Sequence, residues 1–294
     1  MDSKSKEGTM ARKNNQSISS ETEDGGAFLS LDAGTEYLQL CLSMPGSRGR
    51  IRHIRVLDAG LRHVEGMMPE IEKLLSLGGI SPGELDGLIT GRGPGSFTGL
   101  RIAMAAMKGL SSALNIPLIS ISALDAIAWK YRHSRAMLTA AIDARKSRYY
   151  CAAWNFHSSQ PIPEPHGNNY REILDYLKDR TVVKAADLLP GEVGIRLNEL
   201  RHNEPSLNTG GKRESSPEPV SVPIILGGPH GASLAAALNS PEVGSSGAIL
   251  HVLPFDEWVS SMDELGRLAL ASGIRDPESL GPEYLRSSEA EIHR

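Results

Sequence analysis

Between Gly91 and Leu110 the chain reads "GRGPGSFTGLRIAMAAMKGL", with glycine at 91, 93, 95 and 99 leading into a helical pattern that contains Lys108. Residues of these types can cradle a phosphate, expose a nucleophile, or bring two backbones together. A Walker A loop requires GxxxxGK[ST], whereas Lys108 stands in mid-helix beside Gly109. A Rossmann GxGxxG requires glycine where Ser96 or Thr98 stands. A nucleophile elbow requires GxSxG, but Ser96 follows Gly95 directly and no His/Asp pair is placed to serve it, which disfavours a peptidase. What remains is a strand ending at Thr90, a Gly-Pro turn at Gly93 and Gly95, and a helix N-terminus capped by Ser96 or Thr98. That terminus could bind an anion through free N–H groups. The spacing favours a close strand-to-helix corner or a backbone contact with another protein.

Two further turns have a similar composition. "LDAGTEY" sets Asp32, Gly34 and Thr35 as in the phosphate-binding hairpin of actin-like ATPases and sugar kinases, although Asp32 could equally cap its own turn. "ILGGPHGA" places Gly227 and Gly228 before a helix. The candidate nucleotide contacts are thus Asp32, Gly34, Thr35, Gly93, Gly95, Ser96, Gly227 and Gly228. They define one functional reading, an ATP-dependent phosphotransferase using Asp32 and the Gly34-Thr35 hairpin. The nine histidines form no HxxxH or HxH pair, and Cys41 and Cys151 have no companion at ligand spacing, so no metal site is expected.

These turns must be held by the elements around them. Phe28 to Met44 reads as a β-hairpin with one buried face, carried by Leu38, Leu40 and Leu42. Arg50 to Asp58 reads as a third strand near an edge. A helix follows through Val64, Met67, Met68, Ile71, Leu74 and Leu75, with Pro69 expected to kink or divide it. Then come the strand ending at Thr90, the helix from Ser96 to Leu114, the strand "NIPLISIS" and a helix from Ala123 to Tyr131. The order then restarts with paired strands in "MLTAAIDARKSRYYCAAWNF", a helix in "NNYREILDYLKD", the strand "VPIILGG", and helices in "HGASLAAALNS" and "DEWVSSMDELGRLALASG". Two related α/β units in tandem are expected. The boundaries read as a polar tail over 1–26, a first lobe over 27–133, and a second over 134–254 with a Pro/Ser-rich insertion at 199–221. A C-terminal helix and tail over 255–286 packs back on the first lobe, and a disordered end covers 287–294.

In the helix after the glycine turn, Leu100, Met104, Met107, Leu110 and Leu114 form one stripe, and Ile102, Ala103, Ala105, Ala106 and Ala113 cover most of the remainder. Such a helix is expected to be buried on two sides, one against the sheet and the other against the Met-bearing helix before it or a partner chain. The candidate partner-interface residues are Val64, Met67, Met68, Ile71, Phe97, Leu100, Arg101, Met104 and Lys108. A net charge of -4 and a pI near 6.2 give no bulk basic field for nucleic acid. Reduced core cysteines, the polar N-terminus and the lack of a long apolar run point to a cytoplasmic chain with no membrane contact.

With these residues in view, the chain resembles the TsaB (YeaZ) family. "GPGSFTGLRIAMAAMKGLSSALNIPLISISALDAIA" corresponds to its most specific block, and "RHVEGMMPEIEKLL", "IDARKSRYYCAAW" and "GPEYLR" correspond to others. The resemblance implies a duplicated actin-like (ASKHA, RNase H-like) fold: two lobes with mixed sheets flanked by helices. It implies a dimerisation subunit without catalysis of its own, needed to install threonylcarbamoyl on an adenosine beside the anticodon of tRNAs reading codons that begin with A. Its implied partners are a TsaD-like catalytic subunit and a TsaE-like ATPase, with tRNA reached through the complex; an exposed apolar helix pair would allow either a homodimer or a monomer when the chain is alone. No cofactor of its own is implied, only ATP or ADP at the assembled interface. The metal-binding histidines of the catalytic relative correspond here to Ala123 and Ile127, which cannot ligate. Asp32-Ala33-Gly34-Thr35 departs from the family's usual Asp-Thr-Ser/Ala-Thr and is closer to a kinase hairpin, and Gly66 replaces a larger residue.

Overall fold

The computed structural model describes residues 25–58, 63–157, 161–203, 223–240 and 250–275, together with 281, 282 and 285. The expected tail up to 24, most of the insertion expected at 199–221, and the end from 286 lie outside the described residues.

Among the described residues, ten strands form two five-stranded sheets. The first contains β1 (Phe28–Asp32), β2 (Tyr37–Gly46), β3 (Gly49–Asp58), β4 (Gly87–Gly93) and β5 (Leu118–Ser122), in the order β3-β2-β1-β4-β5. The second contains β6 (Met137–Arg145), β7 (Arg148–Asn155), β8 (Thr181–Leu188), β9 (Ile224–Gly227) and β10 (Leu250–Val252), in the order β8-β7-β6-β9-β10. The leading strand of each sheet pairs antiparallel with the next strand in sequence and parallel with the fourth, so the second lobe repeats the first strand for strand. This is the duplicated actin-like architecture, with both sheets mixed and flanked by helices.

In chain order the helices are α1 (His63–Gly78), α2 (Phe97–Leu114), α3 (Ala123–Lys130), α4 (Tyr170–Arg180), α5 (Pro190–Asn203), α6 (Gly231–Leu238) and α7 (Val259–Ala271). Pro69 does not divide α1: it sits exposed inside a single helix. The α2 boundaries follow from its caps, since Ser96 Oγ accepts the Gly99 N–H at 3.3 Å and Asn115 ends the helix in the left-handed region at φ 52°. α5 runs to Asn203, past the expected start of the insertion at 199.

Three apolar clusters fill the layers. Leu29, Leu31, Leu38, Leu40 and Leu42 meet Met67, Ile71 and Leu74 of α1 and Met107 of α2 on the outer side of the first sheet. Met137, Ala141, Val183 and Leu226 meet α5 and α6 on the outer side of the second. Between the sheets lie α3, α4 and α7, with Trp129 and Trp258 wholly buried. β2 therefore has two buried faces rather than the single one its alternation suggests. Gln39, Cys41 and Ser43 are all 0 % exposed because α7 returns from the far end of the chain to cover them.

That return is fixed by a buried carboxylate. Asp263 on α7 accepts hydrogen bonds from Ser43 Oγ at 2.7 Å, Ser30 Oγ at 3.2 Å and Arg267 Nε at 3.1 Å, and Arg52 lies 3.5 Å away. A charge removed from water is tolerable only with such a full set of partners. Burial pushes the Cys151 thiol up to about 12 and the Cys41 thiol higher still, so both are unreactive core groups.

Candidate functional site

The C-terminal ends of β1, β4, β6 and β9 converge at one mouth between the lobes, where open α/β sheets place ligands. Each glycine of the Gly91 stretch has a local cause there. A β-carbon on Gly91 would run into the Asp32 carboxylate, one on Gly95 into the Gly34 carbonyl, and one on Gly99 into the Ala33 carbonyl. Ser96 N–H donates to Gly34 O at 2.6 Å and closes the contact. Close backbone approach is thus the reason for these glycines, as anticipated, but the surface approached is the chain's own first hairpin and not another protein. Gly93, at φ 105°, precedes a cis bond to Pro94.

The same contact turns the hairpin inward. Asp32 is 1 % exposed; its Oδ1 accepts from Gly34 N–H at 3.1 Å and its Oδ2 from Trp258 Nε1–H at 2.8 Å. Thr35 is also buried, with its hydroxyl accepting from Tyr37 N–H at 3.2 Å. The carboxylate that a phosphotransferase would aim at a nucleotide-bound metal is held against an indole instead. Among the described residues, no group of three or more His, Cys, Asp or Glu side chains could hold a metal ion.

Across the mouth, Gly227 ends β9 and Gly228 follows it. Gly228 has φ 87° and packs over the Ala141 backbone. They aim His230, whose Nδ1 accepts from Asp143 N–H at 3.0 Å. Its Nε2 lies 3.2 Å from Glu36 Oε1 in the first lobe's hairpin turn. With Nδ1 accepting, Nε2 carries the proton and donates to Glu36. The two turns of the duplicated fold are therefore tied across the cleft by one imidazole. Beside them Tyr37 stacks on Phe255 with ring centroids 4.3 Å apart, and Phe255 meets Trp258 edge-on. Burial, then Glu36 and Asp58, raise the Tyr37 phenol above its ordinary value. Sequence spacing gave no sign of His230, Glu36 or Trp258, because each acquires its partner from a distant element.

The nine interface candidates separate by burial. Met67, Ile71, Leu100 and Met104 are at most 4 % exposed and belong to the first lobe's own interior, a correction to their reading as presented surface. Met68 is 41 % exposed, Arg101 is exposed and stacked 4.0 Å over the half-buried Phe97, and Lys108 is half-buried. The Val64 side chain lies outside the described residues. Thr98, Ala105, Gly109, Ser112 and Ala113 make up the rest of the exposed face of α2, and α1 adds Leu77 at 60 %. Glu70 pins α1 to β3 through Arg55 at 2.7 Å and pairs within the helix with Lys73, also at 2.7 Å; the Lys73 hydrogen bond leads in holding its carboxyl below the usual range.

Residues 57–162 match the family model described as TsaD: tRNA N6-adenosine threonylcarbamoyltransferase. The chain is 37 % identical over 125 residues to the tRNA threonylcarbamoyladenosine biosynthesis protein TsaB of Haemophilus influenzae, covering 42 % of this chain and 51 % of that protein. It is 31 % identical over 130 residues to TsaB of Escherichia coli, covering 43 % and 54 %. The matches thus span about half the length of these relatives. A solved structure of YeaZ from Pseudomonas aeruginosa superposes with a TM-score of 0.57 at 22 % identity, over 88 % of this chain and 99 % of that one, a likeness of fold.

Proposed function

The chain belongs to the TsaB (YeaZ) family, and from that premise we propose that it serves threonylcarbamoyladenosine formation in tRNA as a non-catalytic subunit that binds and activates a TsaD-like catalytic partner, with a TsaE-like ATPase. The observation that carries the reading is the state of Asp32. A catalytic carboxylate must reach substrate, and this one is sealed beneath the Gly91 turn with its oxygens bonded to Gly34 and Trp258. The same observation speaks against the phosphotransferase alternative. The exposed faces of α1 and α2 supply the docking surface, through Met68, Leu77, Arg101 and the small residues Ala105 and Gly109, which permit close helix approach. Nucleotide is bound at the assembled interface, and tRNA is reached through the complex, in the cytoplasm. Among the described residues no helix is long and apolar enough to cross a membrane.

Coexpression with the organism's TsaD-like protein tests this. A co-purifying complex is expected, and Met68→Glu or Ala105→Glu should abolish it while leaving the thermal melt unchanged. Met104→Glu is unsuitable, because a buried charge would unfold the lobe. Modification of tRNA by TsaD and TsaE proteins should require the chain. ATP turnover by the isolated chain, lost in Asp32→Asn, would overturn the proposal.

A further inference from the structure

The two sheets end in equivalent edge strands, β3 and β8, built in opposite ways. The pairing of β8 with β7 breaks register between Cys151 and Ala153 and again between Ala153 and Trp154, and irregularities of this kind turn an edge away from new partners. β3 pairs with β2 without interruption from Tyr37↔Asp58 to Gly46↔Gly49, and its outer edge pairs with no strand among the described residues. In an antiparallel strand alternate residues turn both N–H and C=O to the same side, so this edge carries a regular row of backbone donors and acceptors.

Each face beside this edge offers a different surface. On the α1 side, Arg55 of β3 and Glu72, Lys73, Ser76 and Leu77 of α1 line an open groove of about 540 Å³. On the α7 side, Ile54 and Val56, which pair with Cys41 and Gln39 of β2, stand 40 % and 38 % exposed. A strand added to β3 would alternate its side chains between the two, one set entering the groove and the other covering Ile54 and Val56. The charge selects what that strand can be. From Arg48 to Arg55 the chain carries four arginines and a histidine and no acid. The two buried carboxylates that receive these arginines are each shared with a further cation: Asp263 serves Arg52 and Arg267, and Glu70 serves Arg55 and Lys73. A positive excess therefore remains along the edge, and a second β3 would bring like charges to it, which is destabilising across a ladder.

We propose that β3 and α1 form a peptide-recognition site that takes an extended acidic segment of a different protein as a sixth strand of the first sheet. Acidic side chains of that segment enter the groove toward Arg55 and Lys73, and apolar ones cover Ile54 and Val56. Backbone pairing then supplies affinity, and the alternate side chains supply specificity. Lys73 stands about 140° around α1 from Met68, so this site and the docking proposed for α1 and α2 can be broken separately.

Two synthetic peptides of the length of β3, ten residues, test this on the full-length chain. One alternates valine with glutamate and the other valine with lysine; binding is read by fluorescence anisotropy and by amide exchange. The glutamate peptide should bind at least about tenfold more tightly than the lysine peptide. With it bound, every second amide from Ile51 to Val56 should slow its exchange, because the intervening amides already bond β2. Lys73→Glu should weaken the glutamate peptide and strengthen the lysine peptide, each by about threefold, a pair of opposite changes that loss of fold cannot imitate. The complex with a TsaD-like protein should persist in Lys73→Glu, and peptide binding should persist in Met68→Glu, so the failure of either proposal is read apart from the other. Absence of binding, equal binding of the two peptides, binding without the alternating protection, or an unchanged preference in Lys73→Glu would overturn the proposal. So would protection of β3 that appears without peptide and rises with the concentration of the chain, which would put a second copy on the edge.

Discussion

In the first lobe the turn after β1 is packed from every side. Three glycines press the α2 entrance onto it, and Trp258 arrives from the far end of the chain to bond its aspartate. In the second lobe the corresponding turn after β6 stands in solvent. Arg145, Lys146 and Ser147 are all exposed there, with φ of 66°, 54° and 57°, and Asp143 at its start bonds Arg145 N–H through Oδ1 at 2.7 Å and donates its own N–H to His230 at 3.0 Å. One duplicated framework thus holds one of its two corresponding turns in the core and leaves the other in solvent. A fold of this kind specifies where chemistry could sit, and the packing of the loops decides whether it does.

The largest effect should come from breaking that difference on the packed side. Gly95→Ala adds a methyl where the Gly34 carbonyl already stands, and neither backbone can yield without separating hairpin from helix. A loss of about 3 kcal/mol or more is expected in denaturant unfolding, at the upper end for overpacking. Gly228→Ala, in the second lobe, meets strain from its positive φ and a looser contact with Ala141, so a smaller loss of about 1–2 kcal/mol is expected. Equal losses would mean that the two turns are packed alike. Next comes Trp258→Phe, which keeps an aromatic six-membered ring but removes the indole N–H donor to a buried carboxylate and leaves a small void. It should cost about 2 kcal/mol, the range for a hydrogen bond to a charged group. His230→Ala should cost about 1 kcal/mol or less, because Glu36 is partly solvated. Its signature is faster amide exchange at Asp143, whose N–H loses its acceptor.

The lobes also differ in how much of them the sequence reveals. The strands and helices of the first lobe are legible because Leu38, Leu40 and Leu42 alternate and the apolar positions of α1 and α2 recur at helical spacing. The restart at Met137 is legible for the same reason. β8, α5 and β10 escaped because "TVVKAADL" and "PGEVGIRLNEL" sit at a partly solvated edge, where polar and apolar positions mix without a clean period, and β10 is only three residues long. The second buried face of β2 escaped for a different reason. Gln39, Cys41 and Ser43 look like a solvent-facing row until α7 covers them, and no local pattern records a cover that comes from residue 259 onward. At Gly91, Gly95 and Gly99 the run of glycines points to close backbone approach, but which backbone they approach is a tertiary fact.

The gentlest test runs in the opposite direction. If the second lobe's turn is strained and open where the first is compact, glycine should help there as surely as its loss harms the first lobe. Ser147 is exposed and held at φ 57°, a region that costs an L-residue about 1–2 kcal/mol and glycine almost nothing. Glycine in turn loses more backbone freedom on folding, by roughly 0.5–1 kcal/mol. The balance for Ser147→Gly is a net gain of about 0.5 kcal/mol, readable as a rise in the denaturation midpoint at unchanged slope. A gain at Ser147 alongside a loss at Gly95 would show that the same residue type plays opposite parts in the two copies of one turn. A loss at both positions would mean that the second turn is held by its side chains, and that the difference between the lobes is smaller than their exposure implies.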